Sequence, residues 1–137
     1  MADQTPQFRA IHRFAPMSAR KARPVADLVR GLPAQEALNE LEFIPRRAAP
    51  LLKKVIRSAV ANAGQAAGLA VDQLYVAAAR INEGPLKQGR LRFRPGPMGR
   101  ACPIHKRTCH IEVILAAKET RKTGRKPSKT DKGTKES

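Results

Sequence analysis

The stretch from Gly84 to Arg107 limits the architecture more than any other part of the chain. It carries seven cations (Lys87, Arg90, Arg92, Arg94, Arg100, Lys106 and Arg107) and not one Asp or Glu. Within it Arg90-Leu91-Arg92-Phe93-Arg94 alternates strictly. An extended backbone there puts three guanidinium groups on one face and Leu91 and Phe93 on the other. Pro95-Gly96-Pro97-Met98-Gly99 follows, turn chemistry too constrained for a strand and suited to a hairpin tip. Arms running from Glu83 to Pro95 and back would reach ~40 Å at about 3.3 Å per residue. That is longer than a sheet on a small core supports, so the hairpin is expected to protrude. A lone two-stranded ribbon is marginal in water, and one loaded with like charges is worse. Such arms make sense when a polyanion sheathes them. The bland alternative is a solvated basic loop with no specific docking. Arginine dominance favours docking, because the planar guanidinium bonds phosphate in pairs and stacks on bases.

The whole chain points the same way. It has 27 Lys plus Arg against 11 Asp plus Glu, a net charge of +16 on 137 residues. Self-repulsion of that size opposes folding, and the usual compensation is a nucleic-acid backbone. Anionic lipid competes as a partner, but no segment approaches the ~18 apolar residues of a membrane span. The start, Met1-Ala2-Asp3-Gln4, has neither the basic nor the apolar part of a signal peptide. A soluble, cytoplasmic protein is expected, with two reduced cysteines and no disulfide framework. Aromatic residues are few (Phe8, Phe14, Phe43, Tyr75, Phe93, no Trp), which weakens recognition of single strands by base stacking. Folded or double-stranded nucleic acid is the better substrate.

Periodicity supplies a body. Residues 8–14 are compatible with a strand that Pro16 ends. Ser18 offers an N-cap to a first helix with Val25, Leu28 and Val29 at helical spacing and Gly31 as its stop. Pro24 conflicts with one smooth helix, and a kink is expected there. Ala34, Ala37, Leu38 and Leu41 mark a short second helix between Pro33 and Pro45, with Glu36, Glu40 and Glu42 on a face turned to solvent or to a basic protein neighbour. Leu51, Leu52, Val55, Ile56, Ala59, Val60 and Ala63 form the strongest stripe, a third helix with Pro50 in its first turn and Gly64 closing it. A strand is expected from Leu74 to about Asn82. A second runs over 108–116, with Cys109, Ile111, Val113 and Leu115 on its apolar face.

Catalytic and metal chemistry find no support. Cys102, His105, Cys109 and His110 offer zinc-ligand types, but tetrahedral zinc needs all four within about 2.3 Å of one point. On an extended strand Cys102 and His110 lie ~26 Å apart, and His105 and Cys109 face the other way. Cys109 reads instead as a small buried residue. There is no glycine-rich phosphate loop, HExxH or paired-carboxylate motif, and Ser18 or Cys102 alone is no nucleophile. No enzyme activity, cofactor or metal is expected.

Five ordered blocks then carry a resemblance over residues 8–118. They are Ser18-Ala19-Arg20-Lys21-Ala22-Arg23 with Val25-Ala26-Asp27-Leu28-Val29-Arg30-Gly31; Lys53-Lys54-Val55 with Ser58-Ala59-Val60-Ala61-Asn62-Ala63; Asn82-Glu83-Gly84-Pro85; Gly99-Arg100-Ala101; and Lys106-Arg107-Thr108-Cys109-His110-Ile111. In these the chain resembles the L twenty-two family of bacterial large-subunit ribosomal proteins. The resemblance implies a small α+β body near the exit of the nascent-peptide tunnel and a long hairpin threading through rRNA. It further implies binding to several rRNA domains early in assembly, and a tip on the tunnel wall that affects macrolide action and stalling. The chain departs from the family pattern in a longer 85–95 segment, in Gly96 and Met98 where basic residues are common, in Cys109 for Ser, and in Pro24 for an aliphatic residue.

The expected fold is therefore α+β: about three helices on a short antiparallel sheet, a long protruding basic hairpin (about 84–107), and a disordered basic tail over 119–137. One rRNA-binding domain is expected over 8–118. The phosphate-contacting set is Arg9, Arg13, Arg20, Lys21, Arg23, Lys87, Arg90, Arg92, Arg94, Lys106, Arg107 and His110. Pro97, Met98, Gly99 and Arg100 would face the tunnel and the nascent polypeptide. The expected partners are large-subunit rRNA and neighbouring ribosomal proteins, with no membrane and no homo-oligomer. Two alternatives remain: an architectural DNA-binding protein with Pro95 or Pro97 as a minor-groove wedge, and a basic module for acidic proteins or lipid headgroups.

Overall fold

The centre of the molecule is β5 (Arg107–Ala117), hydrogen-bonded on both sides in an antiparallel sheet of order β1-β5-β2. The flanking strands are β1 (Gln7–Ala15) and β2 (Leu74–Leu86). The structure, a computed structural model, describes residues 6–117; the tail expected over 119–137 lies outside them. β5 takes the middle because its alternation is the most apolar: Cys109, Ile111, Val113 and Leu115 are all fully buried. Three helices cover that face. They are α1 (Ala19–Val29), α2 (Ala34–Phe43) and α3 (Ala48–Ala67), with α3 lying over β1 and β5, α1 over β2, and α2 against α3. Val25 and Val29 of α1 and Leu52, Ile56 and Ala59 of α3 complete the core. This is the α+β arrangement that the periodicity implied.

Element ends differ from expectation in instructive ways. α3 does not close at Gly64. It runs one turn further to Ala67, where Gly68 turns left-handed (φ 63°) and its N–H meets the Gly64 carbonyl at 3.0 Å. Ala66 and Ala67 are strong helix formers, and the left-handed cap needs Gly68 rather than Gly64. α1 passes through Pro24 as one helix from Ala19 to Val29. Ser18 occupies the N-cap of α1, but its hydroxyl makes no capping bond. β2 continues past Asn82 to Leu86, so the sheet ladder extends to the pair Leu86–Arg107.

Side chains finish both outer edges of the sheet. Asn62 of α3 donates to the Arg9 carbonyl on β1 at 3.1 Å, and Arg30 donates to the Ala79 carbonyl on β2 at 2.8 Å. Beside it the 31–33 segment pairs with β2: Gly31 N–H to Val76 O and Val76 N–H to Leu32 O, both 2.9 Å. Unpaired strand edges invite a further strand, and these bonds take up some of the groups exposed there.

Candidate nucleic-acid interface

Beyond Leu86 the two arms stay antiparallel but do not form one continuous ribbon. A tight turn at Lys87–Gly89 interrupts the outgoing arm, with Gln88 and Gly89 both left-handed (φ 62° and 67°). A second, four-residue ladder then joins β3 (Arg92–Pro95) to β4 (Ala101–Ile104). Its register pairs Arg92 with Ile104 and Arg94 with Cys102. The break explains why strict alternation over 90–94 overstated the regular strand, since Arg90 and Leu91 precede it. None of residues 87–107 is buried.

The tip is a turn over Pro97–Gly99 with Met98 and Gly99 left-handed. The Gly96 N–H closes it onto the Arg100 carbonyl at 2.7 Å. A Cβ on Gly96 would lie 2.9 Å from that carbonyl oxygen and 2.7 Å from the Cys102 sulfur. A basic residue at position 96 is therefore incompatible with this closed tip. Met98 stands 95% exposed.

The expected contact residues fall into three groups. Lys87, Arg90, Arg92, Arg94 and Lys106 are exposed along the arms, and Arg92 donates to the Gln88 side chain at 3.2 Å. Arg9, Arg13 and His110 line a small cleft on the open face of the sheet. There Arg9 is already engaged, with its Nε 2.7 Å from the Glu112 carboxylate. His110 is half-buried, its Nδ1 accepting the Phe14 N–H at 3.1 Å while the two rings meet edge to face at 4.8 Å. Arg23 is exposed and lies 3.9 Å from Glu83.

The third group is one that sequence reasoning only half found. Arg20 and Lys21 of α1 and Arg107 of β5 line a single open cavity of about 690 Å³. Arg46 and Arg47, from the turn between α2 and α3, line it too, together with His105. No carboxylate lines it. The dibasic Pro45-Arg46-Arg47 was the available signal, but nothing local ties it to residues 20–21 or 107.

Cys109 is fully buried, and burial pushes its thiol above the ordinary value; Cys102 is half-buried out on β4. Among the described residues no group of three or more His, Cys, Asp or Glu side chains is placed to hold a metal ion. No helix among them is long and apolar enough to cross a membrane.

The described residues thus form a helix-on-sheet body carrying an exposed, acid-free basic hairpin. Comparison with known proteins gives the family. Residues 10–116 match the model of Ribosomal protein L22p/L17e. The chain is 46% identical over 119 residues to the large ribosomal subunit protein uL22 of Lacticaseibacillus casei, covering 87% of this chain and 99% of that protein. It is 47% identical over 118 residues to the uL22 of Ligilactobacillus salivarius, covering 86% and 100%. Against the uL22 of Caldicellulosiruptor saccharolyticus identity is 48% over 107 residues, covering 78% and 85%. The chain belongs to this family of large-subunit ribosomal proteins. It is a structural constituent of the ribosome, and not an enzyme.

Proposed function

We propose that the chain binds and organises large-subunit rRNA during assembly as one domain over 8–118, with its hairpin reaching the wall of the nascent-polypeptide exit tunnel. The carrying observation is the 84–107 segment: seven cations, no acid, and no buried residue between 87 and 107. Residues with no apolar burial gain order only from a partner, and a phosphate backbone satisfies both the charge and the free edge groups of the arms. Arg90, Arg92, Arg94, Lys87 and Lys106 grip phosphates along the arms. Arg13, Arg20, Lys21, Arg23, Arg107 and His110 extend the contact over the body. Arg9 contributes less, because Glu112 holds its guanidinium. The tip has Pro and Gly in place of charge, so it sets shape and presents Met98 and Arg100 to the nascent chain. The protein acts as a single copy among its ribosomal neighbours.

The test separates arms from tip. Arg92→Glu with Arg94→Glu turns attraction to phosphate into repulsion and should deplete large subunits on sucrose gradients. Arg100→Ala, or deletion of Pro97 and Met98, should leave subunit yield near normal and change macrolide sensitivity or peptide-specific stalling. Tip variants that abolish assembly beside silent arm variants would overturn this division.

A further inference from the structure

We infer that the basic cavity between the start of α1, the 44–48 turn and the root of β5 receives a single unstacked nucleotide of RNA, an inference that rests on the RNA-binding reading above. Five permanent cations line it, from three segments distant in sequence: Arg20, Lys21, Arg46, Arg47 and Arg107. Cations that repel one another are not gathered around a hollow for stability. Pro16, Met17 and Pro24 add an apolar lining. The volume of about 690 Å³ falls within the ~300–1,000 Å³ typical of small-molecule sites. Cationic and apolar lining together match a nucleotide, with the cations for its phosphate and the apolar side chains for its base.

Shape decides between duplex and extruded nucleotide. A regular duplex presents its phosphates on convex ridges, which meet cations on a flat or ridged surface. A concave site takes a group that stands out of the helix, as bulged nucleotides do. The walls are set in advance by short backbone bonds: Met17 N–H to Ala15 O and Arg46 N–H to Ile44 O, both 2.8 Å, and Ala49 N–H to Arg46 O at 2.9 Å. The first turns of α1 and α3 both border the cavity, and neither holds an acidic residue or a side-chain cap. Their amide ends add to the pull on phosphate.

Fluorescence anisotropy with the full chain tests this, using two labelled RNA hairpins of equal length, one fully paired and one with a single-nucleotide bulge. The wild type should bind the bulged RNA about tenfold more tightly, the scale of one stacked and charge-held base. Arg46→Glu with Arg47→Glu should bring that ratio to one, and the milder Arg46→Gln with Arg47→Gln should lower it. Both residues are exposed, and circular dichroism checks that the variants fold. Arg92→Glu with Arg94→Glu should weaken both RNAs while preserving the ratio. Equal wild-type affinity for the two RNAs overturns the cavity assignment and leaves the hairpin reading intact. Binding to neither RNA sinks the RNA-binding reading itself. Displacement of the bulged RNA by free adenosine monophosphate at low concentration would assign the cavity to free nucleotides instead, and overturn the proposal.

Discussion

The inner and outer halves of the molecule are both antiparallel, yet they are built on opposite principles. In the body every second residue of β5 from Cys109 to Leu115 is fully buried, and helices α1 and α3 close over them. In the outer hairpin β3 is exposed along its whole length, and Leu91 and Phe93 face solvent. The body is held by area removed from water; the outer ladder has only four residue pairs and its tip closure. Backbone pairing therefore determines the path of the arms, whereas burial determines the stability of the protein. The two roles thus fall to different parts of the molecule.

Truncating the core gives the sharpest contrast. Ile56 is fully buried, and Ile56→Ala should cost about 2–5 kcal/mol in urea unfolding. Phe93→Ala at the exposed arm should stay within about 0.5 kcal/mol. Equal losses would abolish the distinction. Next comes the junction. A Cβ on Gly84 would lie 2.6 Å from the Thr108 hydroxyl, which itself donates to the Pro85 carbonyl at 2.6 Å. Gly84→Ala should therefore cost roughly 1–3 kcal/mol by overpacking, although the residue sits where the arms leave the body.

The two cysteines probe the same division without mutation. Maleimide should label Cys102 in the folded protein and reach Cys109 only on unfolding. Burial raises the Cys109 thiol above its ordinary 9.0, so the unfolded chain loses that proton first. Its contribution to stability is complete below about pH 9 and falls as pH climbs through the raised value. Equal labelling rates would mean the body opens as readily as the arm. The smallest effect concerns α2 and α3. The Lys53 ammonium, hydrogen-bonded to Glu42 at 2.9 Å, holds that carboxyl below its ordinary 4.5, with Arg57 adding a weaker pull. Carbon-detected titration should show Glu42 rising back after Lys53→Met, with little change in unfolding. Whatever stability the pair adds is present above pH 4.5 and fades as pH falls through the lowered value.

What could be read in the sequence tracks the same boundary. α3 and β5 announce themselves because burial imposes a period, 3.6 on one and 2 on the other. In the outgoing arm the alternation from Arg90 to Arg94 suggests a long even strand, but no burial requirement enforces that period outside the body. Its interruption depends on Gln88 adopting φ 62°, a backbone choice that Gln does not advertise. Residue type marks Gly64 as a possible stop for α3, while only the left-handed turn at Gly68 makes one. Most of the basic surface was legible from composition. The cavity was not, since Arg46 and Arg47 meet Arg20, Lys21 and Arg107 only after α3 has packed on the sheet.

The occupied sheet edges bear on a moment before any ribosome exists around the protein. Asn62 on the Arg9 carbonyl and Arg30 on the Ala79 carbonyl take up acceptors that a second copy would need for strand addition. The 31–33 segment occupies Val76 in the same way. At each margin, residues of the helices or of the loop after α1 take part of the bonding that a further strand would use. The arms carry a different barrier, since seven like charges repel the same segment of a second copy. The body thus opposes strand addition by occupied hydrogen bonds and the hairpin opposes it by charge, and only the second is a barrier that a polyanion would remove.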